Sequence, residues 1–295
     1  MKHRRINSLS FLIFTALALI GYLSYLTYER GSGVEAAINP AQVAPTLAQQ
    51  ANLAAGDAAT AELFGASAAI DGATAVVGAP NDDTAAGADA GSAYVFMRSG
   101  SSWSQQAKLT GSLSETGDSF GAAVGISGDT IVVGAPFATN DSADLGQVYV
   151  FVRSGSSWSQ QAVLTVSGSG DGLFGQAVAI DGETIVAGVP FNDSAASDGG
   201  SAFVFARSGA SWSQQAQLTA GDAAVGDQLG SGVAIEGDLA VIAAPFTDSA
   251  ESGADVGAAY VFARNGASWT QEIKLFPAVP QENGFFSLNS VAISG

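Results

Sequence analysis

One period governs this chain. The tripeptide Gly78-Ala79-Pro80 recurs as Gly134-Ala135-Pro136, Gly188-Val189-Pro190 and Ala243-Ala244-Pro245, the proline advancing by 56, 54 and 55 residues. Trp103, Trp158, Trp212 and Trp269 keep step, opening Trp-Ser-Gln-Gln-Ala-x-Leu three times and Trp-Thr-Gln-Glu-Ile-x-Leu once. Between proline and tryptophan stands an aromatic triplet, Tyr94-Val95-Phe96, Tyr149-Val150-Phe151, Phe203-Val204-Phe205 and Tyr260-Val261-Phe262. Markers held in phase over four copies mean one supersecondary unit repeated, each copy burying its apolar faces against its neighbours.

Each unit holds four short runs with strand character. The first, as in Phe174 to Ile180, is mostly small residues; Asp181-Gly182 is expected to supply both positive-φ residues of a tight hairpin, and Glu183 to Ala187 returns. The return runs Ala75-Val76-Val77, Ile131-Val132-Val133, Ile185-Val186-Ala187 and Ala240-Val241-Ile242 are apolar on both faces, as strands covered on each side must be. Proline ends each of them, because it cannot continue a central ladder. A third strand carries the aromatic triplet, and a fourth begins at the tryptophan. Four antiparallel strands per unit predict an all-β chain, a β-propeller with blades at about 62–111, 118–166, 173–220 and 228–276. Small residues such as Ala66 to Ala69 and Ser231 to Ala234 suit the innermost strand, where blades crowd the axis.

The dipeptides Phe64-Gly65, Phe120-Gly121 and Phe174-Gly175, with the weaker Leu229-Gly230, each precede their Gly-Ala-Pro equivalent. In these paired motifs the sequence resembles the FG-GAP repeat family of integrin alpha-chain propellers and bacterial surface proteins, from about residue 49 onward. The resemblance implies a ring of seven blades. Ala48 to Leu53 repeats the text of a fourth strand, and Phe285 to Gly295 matches only a first strand, a partial blade at 285–295. The chain is therefore expected to be a fragment of a longer propeller; a four-bladed ring, the rival reading, leaves 285–295 unexplained.

Net charge is -17, unevenly placed. Residues 1–30 hold Lys2, Arg4, Arg5 and Arg30 against Glu29, and the uncharged run from Leu9 to Tyr28 follows the basic start. This predicts a membrane-targeting helix, either an uncleaved anchor with interfacial Tyr22, Tyr25 and Tyr28 or a cleaved signal peptide. Arg4-Arg5 lacks the apolar pair of a twin-arginine signal, so it reads as basic clustering. Residues 31–48, with Gly31, Gly33, Pro40 and Pro45, read as a linker. The acidic body that follows is expected in the cell envelope or outside the cell.

With no Cys and a single His, His3, the body cannot build a cysteine nucleophile, a thiolate zinc site or a histidine-based serine triad. Its acidity opposes nucleic acid and favours cations or basic partners. In an up-and-down blade, the loop after the second strand and the loop before the first emerge at one end, and both are acidic. Oxygen-only loops suit calcium, and the candidate ligands are Asp82, Asp83, Asp89, Asp141, Asp144, Asp193, Asp198, Asp248 and Asp255. The alternative for the same residues is a solvated acidic rim. The family's calcium loop, D-x-D-x-D-G between the first two strands, does not carry over, because here those turns are Asp71-Gly72, Ser127-Gly128-Asp129, Asp181-Gly182 and Glu236-Gly237-Asp238. The opposite end carries Arg98, Arg153, Arg207 and Arg264 and is expected to be more nearly balanced.

Paired carboxylates can hydrolyse glycosides, but acids that recur in every unit are turn chemistry, so no catalytic residue is assigned. Tryptophans at one fixed strand position read as blade packing in preference to sugar platforms. The chain is expected to be a non-enzymatic module binding a protein or glycan at the acidic loop face, as in adhesion. Two alternatives stay open, an accessory propeller of a longer extracellular enzyme and a surface-layer protein.

Overall fold

The computed structural model describes residues 49–139, 146–167, 172–249, 253–279, 281–287 and 290–294. The expected membrane helix and linker lie outside these residues, and no described helix is long and apolar enough to cross a membrane. Every described strand belongs to one of four antiparallel four-stranded sheets in simple up-and-down order. The first is β1 (Ser67–Asp71), β2 (Thr74–Ala79), β3 (Ser92–Ser99) and β4 (Ser102–Leu109). The second is β5 (Ala123–Ser127), β6 (Thr130–Ala135), β7 (Gln147–Ser154) and β8 (Ser157–Leu164). The third is β9 (Val178–Asp181), β10 (Thr184–Val189), β11 (Ser201–Ser208) and β12 (Ser211–Leu218). The fourth is β13 (Val233–Glu236), β14 (Leu239–Ala244), β15 (Ala258–Asn265) and β16 (Ser268–Leu275).

The first strands of the sheets pack in sequence, β1 on β5, β5 on β9 and β9 on β13, so the sheets stand side by side in a propeller-like array. β2, β6 and β10 are buried along their whole length, as their two apolar faces require. Each proline follows its second strand directly: Pro80 after Ala79, Pro136 after Ala135, Pro190 after Val189, Pro245 after Ala244. The hairpins between first and second strands differ from expectation. Asp181 pairs with Thr184 as the last rung, and of the two turn residues only Gly182 has positive φ, 52°. A single left-handed glycine at the first central position serves a II′-like turn, and Asp181 stays in the ladder. Its freed carboxylate accepts from Gly237 N of the next sheet at 2.7 Å.

Apolar layers fill the space between sheets. Val76, Val95 and Leu109 of the first meet Ile131, Val133, Tyr149 and Phe151 of the second, with Phe120 inserted between. Phe120 stands edge-on to Tyr149 at 5.1 Å and to Phe151 at 6.0 Å, the favoured geometry for aromatic quadrupoles. Phe174 stands edge-on to Phe203 and tilted against Phe205, and the half-buried Phe64 is edge-on to Tyr94 and Phe96. The phenylalanine of each Phe-Gly pair is thus a plug.

The glycines set the spacing. A Cβ placed on Gly78 would fall 2.0 Å from the carbonyl oxygen of Gly121 in the next sheet; for Gly134 and Gly175 the figure is 2.0 Å, and for Gly188 and Gly230 it is 1.9 Å. Gly65, Gly121 and Gly175 also adopt φ of 95°, 96° and 89°, which side chains resist. The Gly-Ala-Pro glycine and the Phe-Gly glycine are therefore two halves of one contact between consecutive sheets.

The Trp-Ser-Gln-Gln text is a second lock. Between third and fourth strands the register shifts once per sheet, leaving Gln106, Gln161, Gln215 and Glu272 as bulge residues. A bulge re-aims its side chain. Gln106 Oε1 accepts from Trp158 Nε1 of the next sheet at 2.8 Å, Gln161 from Trp212 at 2.9 Å and Gln215 from Trp269 at 2.9 Å. Above each tryptophan lies the arginine of the same hairpin, 5.4 to 5.9 Å from the ring. Arg153, Arg207 and Arg264 also donate to Thr74, Thr130 and Thr184 of the preceding sheet.

Gly188→Ala is expected to lower stability by about 3 kcal/mol or more, because a Cβ cannot be placed without separating two sheets. Guanidinium unfolding checks this, and a loss under 1 kcal/mol would refute the contact. A double-mutant cycle on Trp212→Phe and Gln161→Ala is expected to give a coupling of about 1 kcal/mol, that of one hydrogen bond.

Candidate functional site

Two sets of loops meet at one end of the sheets, and backbone hydrogen bonds hold them together. Gly117, Ser119 and Phe120 donate to Ala88, Asp89 and Ala90, so the lead-in loop of the second sheet runs along the β2–β3 loop of the first. Gly226, Gln228 and Leu229 repeat the pattern on Ser197, Asp198 and Gly199, and Asn283, Phe285 and Phe286 repeat it on Ala254, Asp255 and Val256. These loops are part of the scaffold.

The paired acids of the β2–β3 loops have a structural use. Asp83 Oδ1 accepts from Asp89 N at 3.0 Å, Asp193 from Asp198 N at 2.8 Å, and Asp248 from Asp255 N at 3.0 Å. The receiving residue is left-handed each time, with φ of 51°, 50° and 52° at Asp89, Asp198 and Asp255. Aspartate tolerates that region and caps local N–H groups, so the spacing is turn chemistry. Asp83, Asp89, Asp193, Asp198 and Asp248 are exposed and Asp255 is half-buried. Asp141 and Asp144 lie outside the described residues. Among the described residues, no three His, Cys, Asp or Glu side chains converge as a metal site.

Not all of the rim is solvated. Asp82 is 2% exposed, and Asp118, Asp227 and Glu62 are also buried. Asp82 and Asp57 share one cation: Lys108 Nζ donates to Asp57 Oδ2 at 2.6 Å and lies 2.7 Å from Asp82 Oδ2. The Tyr94 hydroxyl donates to Asp57 Oδ1 at 2.9 Å, and Ser92 Oγ donates to Asp82. The hydrogen bond from Lys108 holds the Asp57 carboxyl below the usual carboxylate range. Burial pushes the Tyr94 phenol up to about 12, with Asp57 and Asp82 adding to the shift.

The fourth sheet repeats part of the arrangement, with Thr247 at the position of Asp82. Lys274 Nζ donates to Asp222 at 2.6 Å, and the Tyr260 hydroxyl donates to Asp222 at 3.0 Å. Burial works against the Asp222 charge, yet the bonds from Lys274 and Tyr260 win and lower its pKa. Asp227 beside it accepts from the Ala224 N–H, and burial raises its pKa. In the second sheet the same positions are Leu113, Ala138 and Val163, an apolar version, while Tyr149 donates to Gln147 at 2.7 Å. Sequence reading missed these networks; the lysine at the variable place of Trp-Ser-Gln-Gln-Ala-x-Leu in only two repeats was the available signal.

Exposed apolar side chains share this end, Leu113 at 58%, Phe137 at 48% and Val225 at 77%. Near the axis, a cavity of about 400 Å³ is lined by residues at or just before the starts of all four first strands, including Ser67, Ala123, Ala177 and Gly232, together with Gln176 and Val291.

Sheets of one design, linked by glycine contacts and tryptophan staples, define a repeat protein of the propeller-like all-β class. A family model for the FG-GAP repeat matches residues 47–96, 103–151, 158–205 and 212–262, and the chain belongs to that family. A search of curated proteins finds no match. The matches at 103–151, 158–205 and 212–262 each run from the fourth strand of one sheet through the third strand of the next, so there the sequence repeat is offset from the sheets by one strand; the first match covers β1 to β3, and its described lead-in residues form no strand.

Lys108→Met is expected to cost about 2 kcal/mol at neutral pH, since it strands the buried Asp82 charge, the partly exposed lysine keeping the loss below that of a fully buried pair. Lys108→Met with Asp82→Asn should recover part of it; no recovery would refute the pairing. The depressed Asp57 and Asp222 stabilise the fold above the unfolded carboxylate pKa of about 4 and lose that contribution as pH falls through their folded values. Asp227 has the opposite sign, favouring the fold at low pH and opposing it as pH rises through its raised value. Asp227→Asn should therefore raise stability at pH 7 more than at pH 3, read from urea midpoints at both.

Proposed function

We propose that this chain forms blades of an exported or membrane-anchored FG-GAP propeller that binds a protein or glycan ligand at its loop face without catalysing a reaction. On this reading the four sheets are blades of a larger ring, which the family resemblance puts at seven, and residues 9–28 carry the chain to the membrane behind the basic Lys2, Arg4 and Arg5. The observation that supports it best is the loop face itself. Backbone pairing fixes its loops in place, and it combines exposed Asp83, Asp193 and Asp248 with exposed Leu113, Phe137 and Val225. A preorganised surface loses little entropy on binding, and apolar side chains ringed by acids suit a ligand with an apolar anchor and basic or hydroxyl groups around it.

The repeating acids support a binding role over a catalytic one, because their oxygens are used in loop capping and lysine pairing. The test screens the full chain in detergent against glycan and peptide arrays, alongside the Asp83→Asn/Asp193→Asn/Asp248→Asn variant. Asparagine keeps the capping oxygen and removes three charges. The expected result is binding to a defined set of probes, weakened about tenfold or more in the variant and falling with added salt. Binding that the variant retains in full would overturn the loop-face assignment, and no binding to any probe would overturn the reading.

A further inference from the structure

One methionine stands inside the fold. The sequence has two, and Met1 lies outside the described residues. Met97 sits on β3 opposite Thr74 in the ladder; the equivalent rungs pair Thr130 with Val152, Thr184 with Ala206 and Leu239 with Ala263. All four of these third-strand residues are half-buried, so the exposure of Met97 belongs to its position in the sheet and not to its place in the first one. Two donors converge on its sulfur. Thr74 Oγ1 donates to Met97 Sδ at 3.1 Å, and Nη1 of Arg153, from the second sheet, donates to it at 3.4 Å. Arg153 Nη1 also donates to Thr74 Oγ1 at 3.2 Å, so the two donors stand side by side on one flank of the sulfur. The guanidinium is fixed there, because its Nε donates to Asp129 at 2.7 Å and its carbon lies 5.4 Å from the centre of the Trp158 ring.

A thioether is a weak acceptor, so a charged donor and a hydroxyl are aimed at an atom that answers neither well. A sulfoxide oxygen answers both, and hydrogen bonds from an ionised donor are about twice as strong as neutral ones. We propose that Met97 is an oxidation site, at which hydrogen peroxide converts the thioether to a sulfoxide whose oxygen takes over the bonds from Thr74 and Arg153. A sulfur lone pair attacks the nearer peroxide oxygen and the O–O bond breaks; the departing hydroxide takes the proton of the transferred oxygen and leaves as water. The sulfur is oxidised by two electrons and the peroxide reduced by two. Methionine oxidation ordinarily puts a polar group into apolar packing and loosens it. Here the half-buried, flexible side chain can draw back toward solvent by one bond length, and the new oxygen ties the first sheet to the second. The site thus consumes one peroxide per chain without loss of the fold.

Hydrogen peroxide treatment of the full chain in detergent, with peptide mapping by mass, tests the site, and urea unfolding before and after oxidation tests the role of the oxygen. The expected result is one added oxygen on the peptide holding Met97, with a folded-to-unfolded ratio equal to or above that of the unoxidised chain. Met97→Leu leaves only Met1 to oxidise and should show no change in that ratio; a change there would place the effect at Met1 and overturn the proposal. In Thr74→Val/Arg153→Leu neither donor is left for the oxygen, and oxidation is expected to lower the ratio about tenfold. If that variant does not fold, Thr74→Val alone decides, oxidation lowering its ratio about threefold relative to the same step in the unsubstituted chain. No oxygen on Met97 at a peroxide dose that fully oxidises free methionine would overturn the proposal. So would a fall in the ratio of the unsubstituted chain on oxidation, or an equal response to oxidation with and without Thr74.

Discussion

The absence of a side chain at one place sets the geometry of this array. Gly78, Gly134 and Gly188 let the backbone of the next sheet come within the space a Cβ would fill, and that approach fixes how closely neighbouring sheets stand at their inner ends. The outer ends are held further apart by Trp and Arg side chains, each larger than anything at the axis. Small inside and bulky outside is the wedge shape a propeller-like array requires. Once the wedge is set, the phenylalanine plug has a cavity of defined depth, and the loops at one end are brought close enough to pair through backbone.

The offset between sequence repeat and sheet strengthens this arrangement. Each of the last three matched units contributes the outer strand of one sheet and the inner three of the next, so none of them completes a sheet alone. The tryptophan to glutamine bond, the arginine to threonine bond and the carboxylate to glycine bond at the hairpins all run between consecutive sheets. Individually each contributes about 1 kcal/mol. Their effect is directional, since each sheet after the first is gripped by its predecessor through a glutamine, a threonine and a hairpin acceptor, which is Asp71, Ser127 or Asp181 in turn, and nearest-neighbour coupling of this kind makes a repeat array cooperative.

The strands, their order and the meaning of the prolines were legible because they follow from alternation, turn residues and period. The partnership of the two glycines was not, since it joins residues 43 positions apart such as Gly78 and Gly121, and only the approach of two sheets reveals it. The role of the second glutamine was hidden for a local reason: a bulge reverses the face that simple alternation assigns to Gln106. The hairpin reading failed at Asp181 because Asp-Gly fits two turn types, and the ladder decides which residue is left-handed. At the loop face, counting acids misjudged Asp82, whose burial depends on Lys108 from the far edge of its sheet. The three Asp pairs at loop-closing distance needed backbone geometry to be recognised as caps.

What repeats and what varies separate scaffold from surface. The capping aspartates recur across sheets and are committed to holding loops, so a ligand gains little discrimination from them beyond charge. The positions occupied by Asp57 and Asp222 in the first and fourth sheets hold Leu113 in the second, and Asn81 gives way to Phe137, Phe191 and Phe246. Where the lysine network is replaced by Leu113, Val163 and Ala138, the loop face loses an ion pair and gains an exposed apolar side chain. On the binding reading, acids common to all sheets set the sign of the partner's charge. The second sheet, where the polar network is missing and Leu113 and Phe137 stand clear of the rim, is then where an apolar anchor would be distinguished from a merely basic one.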